Sequence, residues 1–181
     1  MNEKERTKIS RFLSLVLRHK PQEIGLQLDS QGWADISELI EKATTAGRTF
    51  TAHDLEEIVT TNDKQRFAYN EDKTKIRASQ GHSIEVELQL DAAIPPEQLY
   101  HGTVEKFLQT IQSQGLRKMN RHHVHMSKDR TTAAKVGERR GEAIILVIKS
   151  GDMNRDGFVF FQSANGVWLT DHVPVKYIIF K

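Results

Sequence analysis

The chain has 181 residues and a formal charge of +2, a length that allows one domain or two small lobes separated by a cleft. It contains no Cys, which excludes disulfides, thiolate catalysis and Cys-ligated zinc and fits a reducing compartment, the cytoplasm being the default. No apolar run approaches the ~20 residues of a membrane span, and Met1 to Ser10 lacks the apolar core of a signal peptide, so a soluble protein with no membrane partner is expected.

Ile9, Phe12, Leu13 and Val16 follow the i, i+3, i+4, i+7 spacing of an amphipathic helix, which should stop near Lys20 because Pro21 disfavours helical geometry in its predecessor. Arg18, nine residues from Ile9 at ~100° per residue, falls opposite that stripe. Further helices are predicted over Asp35 to Thr45, with Asp35 as N-cap and Gly47 as stop signal, and over Ala52 to Thr60. Arg66 to Tyr69 and Lys75 to Arg77 flank the turn-like Asn70-Glu71-Asp72 and read as a hairpin. Helices followed by a hairpin suggest a winged helix, a fold that serves nucleic-acid binding and also protein interaction.

Asp91 to Pro96, with consecutive prolines, is the linker candidate, and the boundary between lobes is placed there. The second half alternates strands and helices: strands near Leu99 to His101 and His123 to Ser127, and helices over Val104 to Gln114 and Asp129 to Val136. Ala143 to Ile148, Phe158 to Phe161, Val167 to Leu169 and Val173 to Phe180 read as further strands.

Charge is segregated along the chain. Met1 to Lys20 holds six Lys/Arg against two Asp/Glu, and Arg117 to Arg140 holds eight against two, leaving a net −8 elsewhere. Such stretches are either solvated faces or cations that a fold gathers around an anion. Arg18-His19 at a helix C-terminus suits the unpaired carbonyls there, or, joined by Arg66 and by Arg139-Arg140, a phosphate. Arginine grips phosphate through paired charge-assisted hydrogen bonds, and histidine changes protonation near neutral pH.

His101-Gly102-Thr103 follows a strand and opens a helix, so it reads either as a ligand-accepting turn or as a plain cap with Thr103 capping and Gly102 turning the chain. His123 and His125 would share one face of a strand, but no carboxylate or Cys completes a metal set; a basic, anion-facing surface is the better reading and no metal is expected. Arg77 to Ser83 is polar and small, suiting an inter-strand loop or a ligand-lining segment. Trp33 and Trp168 lie in apolar contexts and read as core in preference to base-stacking platforms. No G-x-G-x-x-G fingerprint and no P-loop is present, so nucleotide binding would need another fold.

Taken together, Leu17-Arg18-His19-Lys20-Pro21, Ile76 to Ser83 and Leu99-Tyr100-His101-Gly102-Thr103 resemble the RNA 2′-phosphotransferases, also called tRNA splicing 2′-phosphotransferases. His123-Val124-His125-Met126-Ser127, Val136 to Gly141 and Asn165 to Thr170 continue the resemblance in the same order, so that it spans essentially the whole chain. It implies an α+β protein with an N-terminal winged-helix lobe for RNA and phosphate over 1–92, and a C-terminal ADP-ribosyltransferase-like lobe with mixed β-sheets that binds NAD over 93–181.

The resemblance further implies a catalytic Arg-His-Arg-Arg group at Arg18, His19, Arg66 and Arg139, the third assignment resting on Asn62 to Phe67. Arg140 is adjacent to the fourth and stands where the family often has His. NAD contacts are implied at His101, Gly102, Thr103, His125 and Ser127, with Met126 replacing a common Leu, and further substrate or NAD contacts at Arg77, Gln80, His82 and Ser83. NAD would be a consumed co-substrate, 2′-phosphorylated RNA the other substrate, and a monomer the expected state. The rival functions are ADP-ribosyl transfer to nucleic acid ends or to protein, and RNA binding without catalysis.

Overall fold

The computed structural model describes residues 1–62 and 65–180, and opens with α1 (Glu3–Arg18), whose start is set by a capping box between Asn2 and Glu5. His19 ends the helix, and Pro21 opens a 3-10 turn over Pro21–Ile24. Then follow β1 (Ala34–Asp35), α2 (Ile36–Thr45), α3 (Ala52–Thr61), β2 (Phe67–Tyr69) and β3 (Lys75–Ala78). Asp35 caps α2 by accepting from the Glu38 amide, as its side-chain chemistry predicts. The three strands form one antiparallel sheet in the order β1-β3-β2. The two-residue β1 carries no readable periodicity and was not foreseen.

These elements belong to a unit covering Met1–Gln89, whose core is Leu13, Val16 and Leu17 of α1, Leu39 of α2, Leu55 and Ile58 of α3, and Phe67 and Ile76 of the hairpin. Ile9 and Phe12 are only partly buried against it. Arg18 is not on an open solvent face, despite its helical phase. No further turn of α1 follows it, so its side chain reaches the hairpin and lies over the Phe67 ring, 5.8 Å from guanidinium carbon to centroid.

The second unit covers Leu90–Lys181. It comprises β4 (Leu99–Thr103), α4 (Glu105–Gln114), β5 (Leu116–Arg117), β6 (Val124–Met126), α5 (Arg130–Gly137), β7 (Ile144–Ile148), α6 (Ser150–Arg155), β8 (Phe161–Gln162), β9 (Trp168–Thr170), β10 (His172–Val173) and β11 (Ile178–Ile179). Its sheets have the orders β11-β7-β4, β6-β9-β8 and β10-β5. The class is α+β. Every described ladder is antiparallel, which corrects the expected mixed sheets. The strand–helix alternation does not produce parallel neighbours because α4, α5 and α6 each join strands of different sheets, so none is a crossover within one sheet.

Three local expectations change in this unit. Asp91 to Pro96 is packed as part of it: the Ala93 amide donates to the Phe160 carbonyl, Pro95 is buried, and the Pro96 carbonyl accepts from Ser150 Oγ. The predicted strand Val173 to Phe180 is broken by Pro174 and the 3-10 turn Val175–Tyr177, since proline cannot donate to a ladder. His101-Gly102-Thr103 is not a turn but the second half of β4, and Val104 is the N-cap of α4 without a side-chain cap. Leu99, Leu146, Ile148, Met153 and Phe160 lie at the centre of the core, and Trp168 is buried at its edge. No helix among the described residues is long and apolar enough to cross a membrane.

Candidate active site

In the first unit the end of α1 is tied to the segment after β3. The Ser83 amide donates to the Arg18 carbonyl at 2.9 Å, and Ser83 Oγ lies 2.8 Å from His19 Nδ1. Arg18 Nη2 donates to the Arg66 carbonyl at 3.3 Å, and the Ser79 amide donates to that same carbonyl at 2.9 Å. Arg66 Nη1 in turn reaches Asn62 Oδ1 at 3.4 Å. Arg18, His19, Arg66 and Ser83 are therefore brought together, with the Arg18 side chain bonded to backbone and those of His19 and Arg66 bonded to the Ser83 and Asn62 side chains. Of the Asn62 to Phe67 segment, Asp63 and Lys64 lie outside the described residues.

The rest of the Arg77 to Ser83 segment is distributed differently. Arg77 stacks on Trp33 with its guanidinium carbon 4.4 Å from the ring centroid, and burial pushes its pKa down. Trp33 is half-buried and serves as that platform. His82 is buried close to Gly32, where an added Cβ would come within 3.4 Å of His82 Nε2. Gln80 is half-buried beside Gly81, whose φ of 86° turns the segment.

In the second unit β4 and the end of β6 are joined by reciprocal Tyr100–Ser127 backbone hydrogen bonds, both 2.8 Å. This places His101 beside β6, where its Nδ1 donates to the His125 carbonyl at 2.9 Å. Arg121 Nη1 lies 3.3 Å from His125 Nδ1. Burial, then the Arg140 and Arg121 charges, holds the His101 imidazole below its ordinary value, only partly offset by the bond to His125. Arg121 keeps solvent contact, yet partial burial of its guanidinium, then Arg140 and Arg139, lowers its pKa. His101, Arg121, His125, Arg139 and Arg140 thus share one positive field.

Arg139 and Arg140 themselves are exposed on the 3-10 turn Glu138–Arg140 that continues α5, with Arg140 over the Phe107 ring at 5.8 Å. Arg121 was not singled out from sequence. Its only signal was membership of the basic stretch, because the Lys118–Arg121 turn that aims it, with Met119 at φ 53°, has no sequence periodicity. His123 packs edge-on against Phe161 at 5.5 Å between centroids, and burial followed by His122 and Lys118 lowers its pKa. Among the described residues no group of three or more His, Asp or Glu is placed to hold a metal ion.

Gly102 and Thr103 owe their places to packing. A Cβ on Gly102 would fall 1.8 Å from the Ala133 carbonyl oxygen of α5, and Thr103 is buried at the end of the same strand. Ser127 is half-buried at the bridge to Tyr100.

The depressed His101 pKa has a definite sign. Below the ordinary value of 6.5 the unfolded chain binds more protons at this site than the folded one, so stability falls as pH drops from 6.5 toward the lowered value and is complete above it. Urea unfolding between about pH 5 and 8 should show this slope in the wild type and a shallower one in His101→Gln; equal slopes would contradict the burial of this imidazole.

The sequence profile described as the RNA 2′-phosphotransferase, Tpt1 / KptA family matches residues 4–172. A protein named "Probable RNA 2′-phosphotransferase" from Flavobacterium johnsoniae is 63% identical over 181 residues, covering 100% of both chains. Relatives of the same name from Burkholderia pseudomallei and Streptomyces coelicolor are 55% and 52% identical; the alignments cover 96% and 99% of this chain and 95% and 98% of theirs. With the profile spanning nearly the full length and these relatives aligned over almost the whole chain, the chain belongs to the RNA 2′-phosphotransferase, Tpt1 / KptA family.

Proposed function

We propose that this protein removes a 2′-phosphate from RNA by transferring it to NAD in the cytoplasm, acting as a monomer. The observation that carries this reading is the tied group Arg18, His19, Arg66 and Ser83, in which Arg18 bonds the Arg66 carbonyl, His19 bonds Ser83 Oγ and Arg66 bonds Asn62, in a chain of this family. A dianionic phosphate needs preorganised donors that remain charged, and this group supplies them. The helix–strand–helix–helix–hairpin order of the first unit supports a winged-helix reading. The second unit is read as the ADP-ribosyltransferase-like, NAD-binding part.

The reaction has two steps. A 2′-phosphate oxygen of the RNA attacks C1″ of the nicotinamide ribose and nicotinamide leaves, so that the phosphate bridges RNA and ADP-ribose. The ribose 2″-hydroxyl, losing its proton, then attacks phosphorus, and the RNA 2′-oxygen leaves and takes up a proton. The products are RNA with a free 2′-hydroxyl and ADP-ribose 1″,2″-cyclic phosphate. Arg18 and Arg66 hold the phosphate, and His19, linked to Ser83, positions it or carries a proton.

His101, with Nδ1 committed to the His125 carbonyl, offers an unprotonated Nε2 toward the dinucleotide, and the Arg121, Arg139 and Arg140 field complements its pyrophosphate or the migrating phosphate. The fourth member of the catalytic group is assigned to Arg121 in preference to Arg139. Both arginines are exposed, and the contact of Arg121 Nη1 with His125 supports it as the more preorganised donor.

Incubation with NAD and a 2′-phosphorylated oligonucleotide tests the reading: dephosphorylated RNA with the cyclic phosphate is expected. A persistent ADP-ribosylated product or binding without NAD consumption would each overturn it. Arg121→Ala should accumulate the bridged intermediate roughly ten-fold more than Arg139→Ala, the effect of a charge-assisted hydrogen bond worth about 1.5 kcal/mol. Rapid-quench separation of the RNA species measures this, and the reverse order would return the role to Arg139.

A further inference from the structure

An open groove of about 610 Å³ runs beside α1 in the first unit, lined by Lys4, Lys8, Arg11 and Arg48 around Phe12, with Glu3 its single carboxylate. Lys4, Lys8 and Arg11 are spaced four and three residues apart and form a row on one side of the helix, within about 60° of one another. Continued by seven residues, the same row arrives at Arg18, about 21 Å along the axis from Lys4. Arg48, on the loop after α2, stands across the groove with its guanidinium carbon 5.9 Å from the Phe12 ring centroid.

The four groove cations differ from their neighbours. Arg6 on the same helix is paired with Glu57 at 2.8 Å, Lys20 with Glu23, Lys42 with Glu38, Lys73 with Glu56 and Lys75 with Asp29. Among the described residues Lys4, Lys8, Arg11 and Arg48 enter no ion pair. All four are exposed. A row of unneutralised cations around an aromatic ring complements a polyanion whose bases are flat and whose charges recur at intervals.

We propose that this groove is a track for the sugar–phosphate backbone of the RNA, engaging several nucleotides beside the one that carries the 2′-phosphate and leading toward Arg18 and His19. This rests on the RNA 2′-phosphate reading above. Phosphate contacts carry no sequence information, so the track confers dependence on RNA length and salt, not on sequence.

The test uses the full chain with Lys4, Lys8 and Arg11 all replaced by Gln, which keeps good helix propensity at exposed positions. Two substrates are compared: a 2′-phosphorylated dinucleotide, and an oligonucleotide of roughly 20 nucleotides with a central 2′-phosphate. For the longer RNA, KM and the Kd from fluorescence anisotropy should rise about ten-fold or more near 0.1 M salt, and the log Kd against log salt slope should shrink by about 2. The kcat and KM for the dinucleotide should stay unchanged.

Unchanged affinity and slope for the longer RNA would overturn the track, including the case in which the variant instead loses binding to an acidic protein. Equal losses on both substrates would overturn it too, by moving the effect to the reacting nucleotide. If the wild type turns over neither substrate with NAD, the functional reading fails, while the anisotropy comparison still decides the track.

Discussion

Exchanging Arg18 for alanine is expected to slow turnover of a 2′-phosphorylated RNA by more than about 100-fold, the loss typical of removing one preorganised donor from developing charge. Arg18 is preorganised in a way its neighbours on α1 are not: Nη2 is committed to the Arg66 carbonyl, the guanidinium faces the Phe67 ring, and its own carbonyl receives the Ser83 amide. Arg18→Lys keeps the charge but loses the planar fork, so it should recover only a small part of the rate. Single-turnover assays at saturating NAD separate this from weakened binding. Because the Arg18 stem also packs on the hairpin, unfolding should be measured in parallel. Near-wild-type rates in a folded variant would reduce Arg18 to a helix-end cation.

Gly102→Ala is expected to destabilise the second unit by about 3 kcal/mol or more, because overpacking against backbone cannot be relieved by a rotamer change. The added carbon would meet the Ala133 oxygen at 1.8 Å, the Ala133 carbonyl carbon at 2.8 Å and the Gly137 nitrogen at 2.9 Å, so α5 would have to lift from β4. Gly47 provides the contrast. It has φ of 74° with open space around it, so its alanine variant bears only the left-handed backbone penalty, about 1 kcal/mol. Urea denaturation of the two variants checks the ordering, and a Gly102→Ala protein as stable as wild type would show that the β4–α5 contact is looser than described. Since His101 precedes Gly102 on the same strand, displacement of β4 should also raise KM for NAD.

These two residues illustrate what could be read without a fold. Arg18 was singled out by the motif Leu17-Arg18-His19-Lys20-Pro21 that carries the family resemblance, since a cation at a helix end is ordinary by itself and helical phase alone pointed the side chain the wrong way. Gly102 was noticed for the wrong reason. Glycine before a helix suggests a turn, whereas its requirement here comes from the closeness of a carbonyl some thirty residues away in sequence. Arg121 went unnoticed because the turn that aims it at His125 has no period, and proximity to Arg139 and Arg140 is a property of packing.

By itself the sequence determined the helices of the first unit, the hairpin, most strands of the second and the family, since periodicity, capping residues and motif order are local and survive unfolding. The tertiary structure alone decided that Asp91 to Pro96 packs with the second unit, that alternating elements give antiparallel sheets, that Ser83 clasps the end of α1, and which basic residues remain unpaired. Each of these depends on a hydrogen bond, a strand partner or a carboxylate supplied from a distant part of the chain, and no local pattern records where that partner will be.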